Sequence, residues 1–411
     1  AAEFLMFISS ILMIINYWNP LTIRYKSSVR MLSDIQEVSK ENNRPIKIDV
    51  FIATYNEDAD LVEKTIIDAK KLKYPFPEVE IKFFLCDDGR RDGRDEQKEN
   101  FKELANQYQI NYFSRENNNG YKAGNLNNAF WQTEGDLLVI LDADTRVFPD
   151  FLIHLTGYFR IKKLAWVQSP QWFYDIFPGE SFKDLRNKNL FYKILSYLPV
   201  INSYKFGKNI LGTDSQIFYD YILRNRNASN ASFCCGAGSV HRRKALESMI
   251  KNQKDRLISL KSYLEVDNSK ILNKDLQATV SKSKNLIVGP FVHHISEDIY
   301  TSVLMHSDKE KWFSYQHPQV ECMMLSPQDL KGMIKQHSRY AEGTYQLMLS
   351  KESPLLLKGL TFKQRLAYLE TIYSYLTPFW IVILILSPIV FYFTLIPPVI
   401  AFNFDFFLRF L

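Results

Sequence analysis

The sequence lacks a concentrated charge of either sign. Its 51 Lys and Arg residues against 45 Asp and Glu give a net charge of only +6, and the basic residues are spread along the chain. Nucleic-acid binding requires a dense basic stripe interleaved with aromatic rings, and no such stripe is present. A weakly basic face toward anionic lipid accounts better for the balance, so we expect a membrane surface and no nucleic acid as partner.

The chain also lacks the features of a cleavable export signal. Glu3 stands where a signal peptide carries basic residues, and the segment Asn16–Pro20 offers no small-residue cleavage site. The nearly uncharged run Phe4–Trp18 is about half to three-quarters of a membrane span in length. We therefore predict a partial transmembrane helix within residues 1–22.

Apolar residues are concentrated at the two ends of a chain that is 46% hydrophobic and contains 30 Phe against 15 Gly. The segment Tyr373–Phe402 holds a second apolar run of about 20 residues, which predicts transmembrane segments over 371–411. Basic residues lie just inside both apolar ends: Arg24, Lys26, Arg30, Lys358, Lys363 and Arg365. The positive-inside rule then predicts a multi-pass protein of the inner (cytoplasmic) membrane, with a linker at 23–45 and the middle of the chain in the cytoplasm. Its four cysteines are expected to be reduced.

Between these ends, strand-like and helix-like segments alternate. The predicted strands are Ile48–Ala53, Ile81–Leu85, Ile110–Phe113, Leu137–Leu141 and Ala165–Gln168, and the predicted helices are Asp60–Leu72, Gln97–Gln107 and Ala123–Trp131. This βαβ pattern, without an internal repeat, predicts one α/β domain over 46–335 with a mixed, mostly parallel sheet. The segment Leu246–Leu286 is rich in Lys, Ser and Asn at helical spacing, and we interpret it as a helical insertion (246–286) on the surface of the domain.

Polar clusters follow three of the predicted strands. They are Thr54-Tyr55-Asn56-Glu57, Cys86-Asp87-Asp88-Gly89 and Asp142-Ala143-Asp144. Ligands of open α/β sheets bind at the carboxyl ends of strands, and a strand ending in Asp-x-Asp presents two carboxylates that can hold a divalent metal against a diphosphate. Ordinary turn or N-cap chemistry is the alternative explanation for each cluster taken alone.

A set of short motifs occurs in a fixed order along the chain. It comprises Asp49 to Glu57, Asp87-Asp-Gly89, Tyr121-Lys-Ala-Gly-Asn125, Asp142-Ala-Asp144, Gln168-Ser-Pro170, Phe233-Cys-Cys-Gly236, Ser296-Glu-Asp298 and Gln336-His-Ser-Arg-Tyr340. Together these motifs resemble the processive family 2 glycosyltransferases of the cellulose synthase type, from about Ile48 to Phe393 with the insertion unmatched. The resemblance implies a GT-A type fold flanked by transmembrane and interfacial helices.

The resemblance also implies roles for the residues of the donor side. Thr54, Tyr55, Glu57, Asp87 and Asp88 would form the nucleotide pocket of a UDP-sugar, with Tyr55 and Glu57 contacting the uracil. Asp142 and Asp144 would hold Mg²⁺ or Mn²⁺ on the diphosphate, and Lys122 and Arg339 would offset its remaining charge.

On the acceptor side, Asp298 matches the carboxylate that acts as the general base. Helix capping by Ser296 is an alternative reading that is compatible with this role. Gln336, Arg339 and Tyr340 fall at i, i+3 and i+4, so on a helix they share one face, and Tyr340 would stack against the acceptor sugar in place of the family's Trp. An interfacial membrane anchor is the alternative for this helix.

The family's Phe-Phe-Cys-Gly-Ser reads Phe233-Cys234-Cys235-Gly236-Ala237 here, so Cys235 and Gly236 would contact the acceptor terminus. We interpret the adjacent cysteines as packing residues, because neighbouring cysteines lack the usual spacing of a metal site. Two amphipathic stretches, Gln216–Asn227 and Leu355–Tyr368, are expected on the membrane surface, and residues 336–370 are interpreted as interface helices.

Together these features predict a membrane-embedded, inverting, metal-dependent enzyme that extends a β-linked polysaccharide from UDP-glucose or a related UDP-sugar. Other membrane segments or subunits would be needed to complete a translocation channel. One alternative is an enzyme of the same fold that adds a single sugar to a lipid or short acceptor. A catalytically silent scaffold subunit of a polysaccharide export complex is the other.

Overall fold

The computed structural model describes residues 2–17, 21–23, 27–89, 95–115, 118–176, 180–197, 217–259, 263–265 and 286–395. Arg24 and Lys26, most of the predicted insertion, Gln216 and residues 396–411 lie outside the described residues.

A seven-stranded sheet organises the domain, with the strand order β11-β6-β8-β4-β1-β2-β3. The strands are β1 Lys47–Thr54, β2 Glu80–Asp87, β3 Asn111–Ser114, β4 Leu137–Asp142, β5 Arg146–Val147, β6 Leu164–Gln168, β7 Gln171–Phe173, β8 Ser239–Arg242, β9 Tyr263–Glu265, β10 Leu286–Val288, β11 Phe313–Gln316 and β12 Cys322–Met324. All neighbours in the large sheet are parallel except β8, which runs antiparallel to both β4 and β6. The predicted mixed, mostly parallel sheet is confirmed, and so are its five predicted strands.

Helices cover both faces of this sheet. The described helices are α1 Ala2–Tyr17, α2 Leu32–Ile35, α3 Ala59–Lys70, α4 Asp95–Gln107, α5 Tyr121–Trp131, α6 Phe151–Thr156, α7 Phe182–Leu185, α8 Leu190–Leu195, α9 Arg243–Ser259, α10 Glu297–His306, α11 Leu330–Leu349, α12 Phe362–Ser374 and α13 Thr377–Thr394. Because strands covered on both faces bury their side chains, β4 and the Val50–Ala53 part of β1 read as continuous apolar runs. Alternate residues of β1 enter opposite cores: Val50 and Ile52 one core, and Phe51 and Ala53 the other.

The segment 246–286 departs from its interpretation as a surface insertion. It continues α9, whose residues Leu246, Met249 and Ile250 are buried in the core beside the sheet. A short strand within the segment, β9, pairs antiparallel with β10, which begins at the last residue of the segment. Its first turns therefore belong to the core, because their apolar residues recur at i, i+3 and i+4 and fill one face of the helix.

One helix in the described part of the chain, α13, is long and apolar enough to cross a membrane. No residue of this helix is buried within the protein, and most of its apolar side chains are exposed. At 16 residues α1 is shorter than a span, and it packs against α12 and α13. Flanking transmembrane segments on both sides, and with them the multi-pass topology, therefore stay predictions.

The two amphipathic stretches are partly buried in the domain. From the first, Tyr219 and Leu223 on the π-helical turn Ile217–Leu223 pack into the core. From the second, Leu357 and Tyr368 do the same, while Leu356 is exposed. Each stretch therefore has one face against the domain, which leaves only the opposite face for a membrane surface.

A buried ion pair joins the 3₁₀ turn Arg226–Ser229 to α12. The Arg226 guanidinium, 1% exposed, donates to the Glu370 carboxylate and lies over the Phe233 ring. Replacing one partner of such a pair leaves an uncompensated charge in the core, which typically costs about 3–5 kcal/mol.

We therefore expect Glu370→Ala to lower the free energy of unfolding by about 3 kcal/mol, measured by denaturant titration of the purified protein. Glu37→Ala is the control, because Glu37 pairs with Lys162 at an exposed site and its loss should change nothing measurable. Equal stability of Glu370→Ala and Glu37→Ala would contradict the expectation.

Candidate active site

The polar clusters predicted at three strand ends meet at one edge of the sheet. In the register of the sheet, Thr54 at the end of β1 pairs with Asp87 at the end of β2. On the other side of β1, Ala53 pairs with Asp142 at the end of β4. The strand ends therefore place these polar side chains around one cleft, as open α/β sheets do.

The first cluster forms a tight turn after β1. The Glu57 carboxylate oxygen Oε2 accepts hydrogen bonds from Thr54 Oγ1 at 2.8 Å and from the backbone N–H groups of Tyr55 and Asn56 at 2.6 and 3.1 Å. Turn chemistry, the alternative raised from the sequence, thus accounts for this oxygen of Glu57. The turn leaves the Tyr55 ring exposed, as a stacking surface must be.

The second cluster is held from β3 and the segment after it. Tyr112 donates its hydroxyl to Asp87 Oδ2 at 2.5 Å, and Gly89 N–H donates to Asp87 Oδ1 at 2.9 Å. Arg115 makes a bidentate pair with Asp88, with Nε–Oδ1 and Nη2–Oδ2 distances of 2.6 and 2.8 Å. Both Asp88 oxygens therefore accept from Arg115, and the Asp88 side chain is buried.

Arg115 also fixes the entry to α5. Its guanidinium donates to the carbonyl oxygens of Asn119 and Tyr121 at 2.7 and 2.9 Å, directly before Lys122. Since Asp88 orients Arg115 and Arg115 orients the start of the helix, the position of Lys122 depends on this buried pair.

Lys122 and the Asp-x-Asp carboxylates form the charged centre of the cleft. Lys122 Nζ forms an ion pair with Asp142. Burial disfavours its charged form, but the carboxylates of Asp142, Glu297 and Asp298 outweigh this and raise the pKa of Lys122. Burial and the neighbouring Asp142 charge raise the pKa of Asp144 to about 7.

This charge balance fits a divalent cation. Asp142 and Asp144 crowd two negative charges together, and a hard cation such as Mg²⁺ or Mn²⁺ prefers carboxylate oxygens. Within the described residues there is no group of three or more His, Cys, Asp or Glu side chains placed to hold a metal. Two carboxylates completed by phosphate oxygens and water are nevertheless a usual set for Mg²⁺ bound with a phosphorylated substrate.

Asp298 lies opposite, in the first turn of α10. The predicted helix start at Ser296 is confirmed, but the Ser296 hydroxyl makes no capping hydrogen bond. Instead, Asp298 Oδ1 accepts the Ile299 N–H at 2.8 Å, which helps fix the direction of the carboxylate. Burial raises the pKa of Asp298, while burial and the charge of Asp298 raise the pKa of Glu297 to about 7.

The loop Phe233–Ala237 forms the floor beneath these carboxylates. Two glutamines support it: Gln168 Oε1 accepts the Cys235 N–H at 3.0 Å, and Gln171 Nε2 donates to the Cys235 carbonyl oxygen at 3.0 Å. Gly236 has φ +82°, where a side chain would be strained, and its Cα faces Lys122 Nζ.

The two cysteines of this loop differ in their surroundings. Cys234 is buried, with its thiol 3.6 Å from His241 Nε2, and burial raises its pKa to about 12. The Cys235 thiol lies toward Asp298, whose charge adds to burial in raising the Cys235 pKa. These contacts agree with the interpretation of Cys234 as a packing residue and put Cys235 at the cleft.

The motif Gln336, Arg339 and Tyr340 lies on α11 and shares one helical face, as predicted. The Arg339 guanidinium lies 5.8 Å from the centre of the Tyr340 ring. Burial, together with the charges of Asp298, Cys235 and Asp142, raises the pKa of Tyr340 to about 12 although Arg339 opposes it, and the Tyr340 side chain is still 41% exposed. Tyr340 is therefore at the mouth of the cleft, near both the Asp-x-Asp carboxylates and Asp298.

Four residues of the site were missed by sequence reasoning. They are Tyr112, Arg115, Gln171 and Tyr219. The Tyr219 hydroxyl donates to Gln171. Burial and the nearby charges of Cys235, Tyr340 and Asp298 raise the pKa of Tyr219, so this side chain lines the same floor. Gln171 directly follows the Gln168-Ser-Pro170 motif, which was the one local signal available for it.

Comparison with known proteins agrees with this geometry. The sequence model of the family described as "Glycosyl transferase family 2" matches residues 49–250. The matched residues include the strand ends with Thr54, Asp87 and Asp142, which border the cleft.

More extended similarity is found to cellulose synthase catalytic subunits. The chain is 28% identical over 324 residues to the UDP-forming cellulose synthase catalytic subunit of Xanthomonas axonopodis pv. citri, covering 79% of this chain and 35% of that protein. It is also 28% identical over 322 residues to the corresponding subunit of Pseudomonas fluorescens, covering 78% of this chain and 34% of that protein. The chain thus spans about a third of the length of these curated relatives. The resemblance to family 2 enzymes of the cellulose synthase type is confirmed.

Among solved structures, the mannosyltransferase PcManGT from Pyrobaculum calidifontis, described in complex with GDP-Man and Mn²⁺, matches with a TM-score of 0.53 at 15% identity. The match covers 94% of this chain and 86% of that one. At this level of identity it supports the GT-A fold alone.

Proposed function

We propose that this chain is the catalytic part of a membrane-embedded, inverting, processive glycosyltransferase that extends a β-linked polysaccharide from a UDP-sugar, UDP-glucose first among them. The observation that supports this most directly is the convergence of Asp142, Lys122 and Asp298 in one cleft, with Tyr340 at its mouth. A direct displacement at a sugar carbon needs groups that stabilise the leaving diphosphate, a general base for the attacking hydroxyl and a surface that positions the acceptor.

The donor would occupy the edge formed by β2, β1 and β4. Thr54, Tyr55 and Glu57 form the turn on which the base of the nucleotide would rest, and Asp87 lies beside it. The diphosphate would then reach Lys122, Asp142 and Asp144. A divalent cation held by the two aspartates would neutralise the diphosphate and make it a better leaving group.

The acceptor would enter from the side of α11. Tyr340 presents an exposed ring on which the C–H face of a pyranose can pack. Its neighbour Arg339 makes no ion pair among the described residues and would offset the charge of the diphosphate. Asp298 would accept the proton of the attacking hydroxyl, and the loop with Cys235 and Gly236 would support the terminal sugar from below. The new bond would form on the face opposite the departing diphosphate, which inverts the configuration at the sugar carbon.

The exposed apolar surface of α13 next to the catalytic domain favours processive synthesis at the inner membrane. Other membrane segments would complete the channel. Processive synthesis is also favoured by the similarity to cellulose synthase catalytic subunits. A polymer that leaves through the membrane would stay bound between additions. The basic residues Lys358 and Lys363 precede α13 and would lie at the anionic lipid surface on the cytoplasmic side.

The test is incorporation of labelled sugar from a panel of UDP-sugars into ethanol-insoluble polymer, with membranes that contain the full-length protein and either Mg²⁺ or Mn²⁺. Polymer from one donor supports the proposal and identifies that donor. Short products only would favour the single-addition enzyme, and UDP binding without any transfer would favour the silent scaffold.

The support provided by Arg115 leads to a prediction about the donor. Removing it in Arg115→Ala leaves the buried Asp88 charge without its bidentate partner and releases the segment before Lys122. We expect UDP to bind about tenfold more weakly in a calorimetric titration, which corresponds to about 1.4 kcal/mol. Lys102→Ala removes an exposed cation paired with Glu99 and serves as the matched control with unchanged UDP affinity. Unchanged affinity in Arg115→Ala would exclude this role.

A further inference from the structure

Helix α11 approaches the start of α10 closely at a single glycine. A Cβ atom added to Gly343 would lie 1.9 Å from Ser296 Oγ, 2.7 Å from Ser296 Cβ and 2.8 Å from Ile295 Cγ2. Real Cβ atoms essentially never come within 3.0 Å of such neighbours. The two helices can keep this distance only because position 343 has no side chain.

Glycine is a poor residue for this position on helical propensity alone. In a helix interior it is less favourable than alanine, so an interior glycine usually has a packing reason. Gly343 is buried in a 20-residue helix and its φ angle is not positive, so backbone conformation does not require it. The close approach to Ser296 is the packing reason that the structure supplies.

The contact joins the two halves of the acceptor site. Gly343 lies at i+3 from Tyr340 and i+4 from Arg339, on the same helical face. Ser296 is the N-cap residue of α10, two positions before Asp298. The separation of α11 and α10 at this contact therefore sets how far the Tyr340 ring stands from the Asp298 carboxylate.

We propose that Gly343 is a positioning residue: it fixes α11, which carries Tyr340, against α10, which carries the general base Asp298. This inference rests on the proposed glycosyltransferase function. A side chain at position 343 would push α11 away from α10 by on the order of 1 Å, and a misplacement of this size can lower the rate about 10²-fold. Donor binding lies at the sheet edge and would be spared.

The first experiment compares Gly343→Ala with Gly332→Ala in full-length protein, using the polymer assay. Gly332 lies in the first turn of the same helix, where an added Cβ would approach only Asp329 Oδ1, at 3.0 Å. We expect Gly343→Ala to lower kcat about 10²-fold with the KM for the UDP-sugar within about twofold, and Gly332→Ala to match the wild type. Both variants gain helical propensity, so a change in helical propensity cannot explain a difference between them.

The second experiment asks whether space restores the activity. Ser296→Gly removes both closest atoms, and it sacrifices no side-chain cap because the Ser296 hydroxyl makes none. Added to Gly343→Ala, it should raise kcat about tenfold or more above the single variant, with Ile295 Cγ2 limiting full recovery. Rescue by a second substitution distinguishes a steric positioning role from a general loss of structure.

Two results would overturn the inference. One is wild-type kcat in Gly343→Ala. The other is a loss in Gly343→Ala that Ser296→Gly does not relieve. Both require an active wild-type protein, so they leave the proposed function standing. A wild-type protein that binds UDP and transfers no sugar would instead overturn the proposed function, and this inference with it.

Discussion

Replacing Asp298 by asparagine is expected to lower the rate of sugar transfer by about 10²- to 10⁴-fold, the range that a positioned general base contributes. The amide has nearly the same shape, and its oxygen can still accept the Ile299 N–H, so α10 should keep its geometry. The amide cannot take a proton from the acceptor hydroxyl. UDP affinity, measured by calorimetry, should stay close to the wild-type value because the donor lies on the other side of the cleft.

The pH dependence of transfer gives an independent check on this carboxylate. A base acts only when it is deprotonated, and burial raises the pKa of Asp298 while that of the adjacent Glu297 is raised to about 7. The rate should therefore fall toward acidic pH, and this fall should begin at a higher pH than the ordinary pKa of an aspartate would give. An Asp298→Asn protein that keeps more than a tenth of the wild-type rate would contradict the assignment of the base.

Removing either carboxylate of the Asp-x-Asp motif is expected to be nearly as damaging. Asp142→Asn and Asp144→Asn should each lower transfer by at least about 10²- to 10³-fold, the scale of losing one electrostatic contact to the developing charge of the leaving group. Each substitution removes one of the two carboxylates that would hold a divalent cation. Binding of Mn²⁺ in the presence of UDP, followed by the loss of the free-ion EPR signal, should be weakened in parallel.

Asp150→Asn is the matched control for these variants. Asp150 is half exposed and lies outside the cleft, and its carboxylate has a single ion pair among the described residues, 3.7 Å from Lys73, so its replacement should leave transfer and Mn²⁺ binding unchanged. Transfer that survives both a strong chelator and Asp144→Asn would exclude the metal role of this motif. Loss of Mn²⁺ binding with full transfer would separate metal binding from catalysis.

The features predicted correctly from the sequence are those with local signals. The runs of β1, β2 and β4 stand out because most of their residues are apolar, and polar residues mark their ends. Spacing alone was enough to place Arg339 and Tyr340 on one helical face. The start of α10 at Ser296 followed from the acidic residues that come after it.

The features that were missed depend on contacts between distant parts of the chain. Nothing near Arg115 in the sequence indicates that it pairs with Asp88, and nothing near Gly343 indicates that Ser296 lies against it. The surface assignment of Leu246 failed for a related reason. The polar composition of the segment that follows it outweighed a short apolar stripe, which becomes visible only once α9 is seen to pack against the sheet.

The single reversed strand of the large sheet has a consequence for how such a site can diversify. Because β8 is antiparallel to β4 and β6, it begins at the edge where the donor-side strands end. The loop with Cys235 and Gly236 therefore leads into the sheet, whereas the nucleotide-side turns lead out of it. Each half of the cleft thus has its own stretch of chain. A lineage can substitute residues in the floor loop, and so accept a differently shaped sugar terminus, while it inherits the nucleotide half without change.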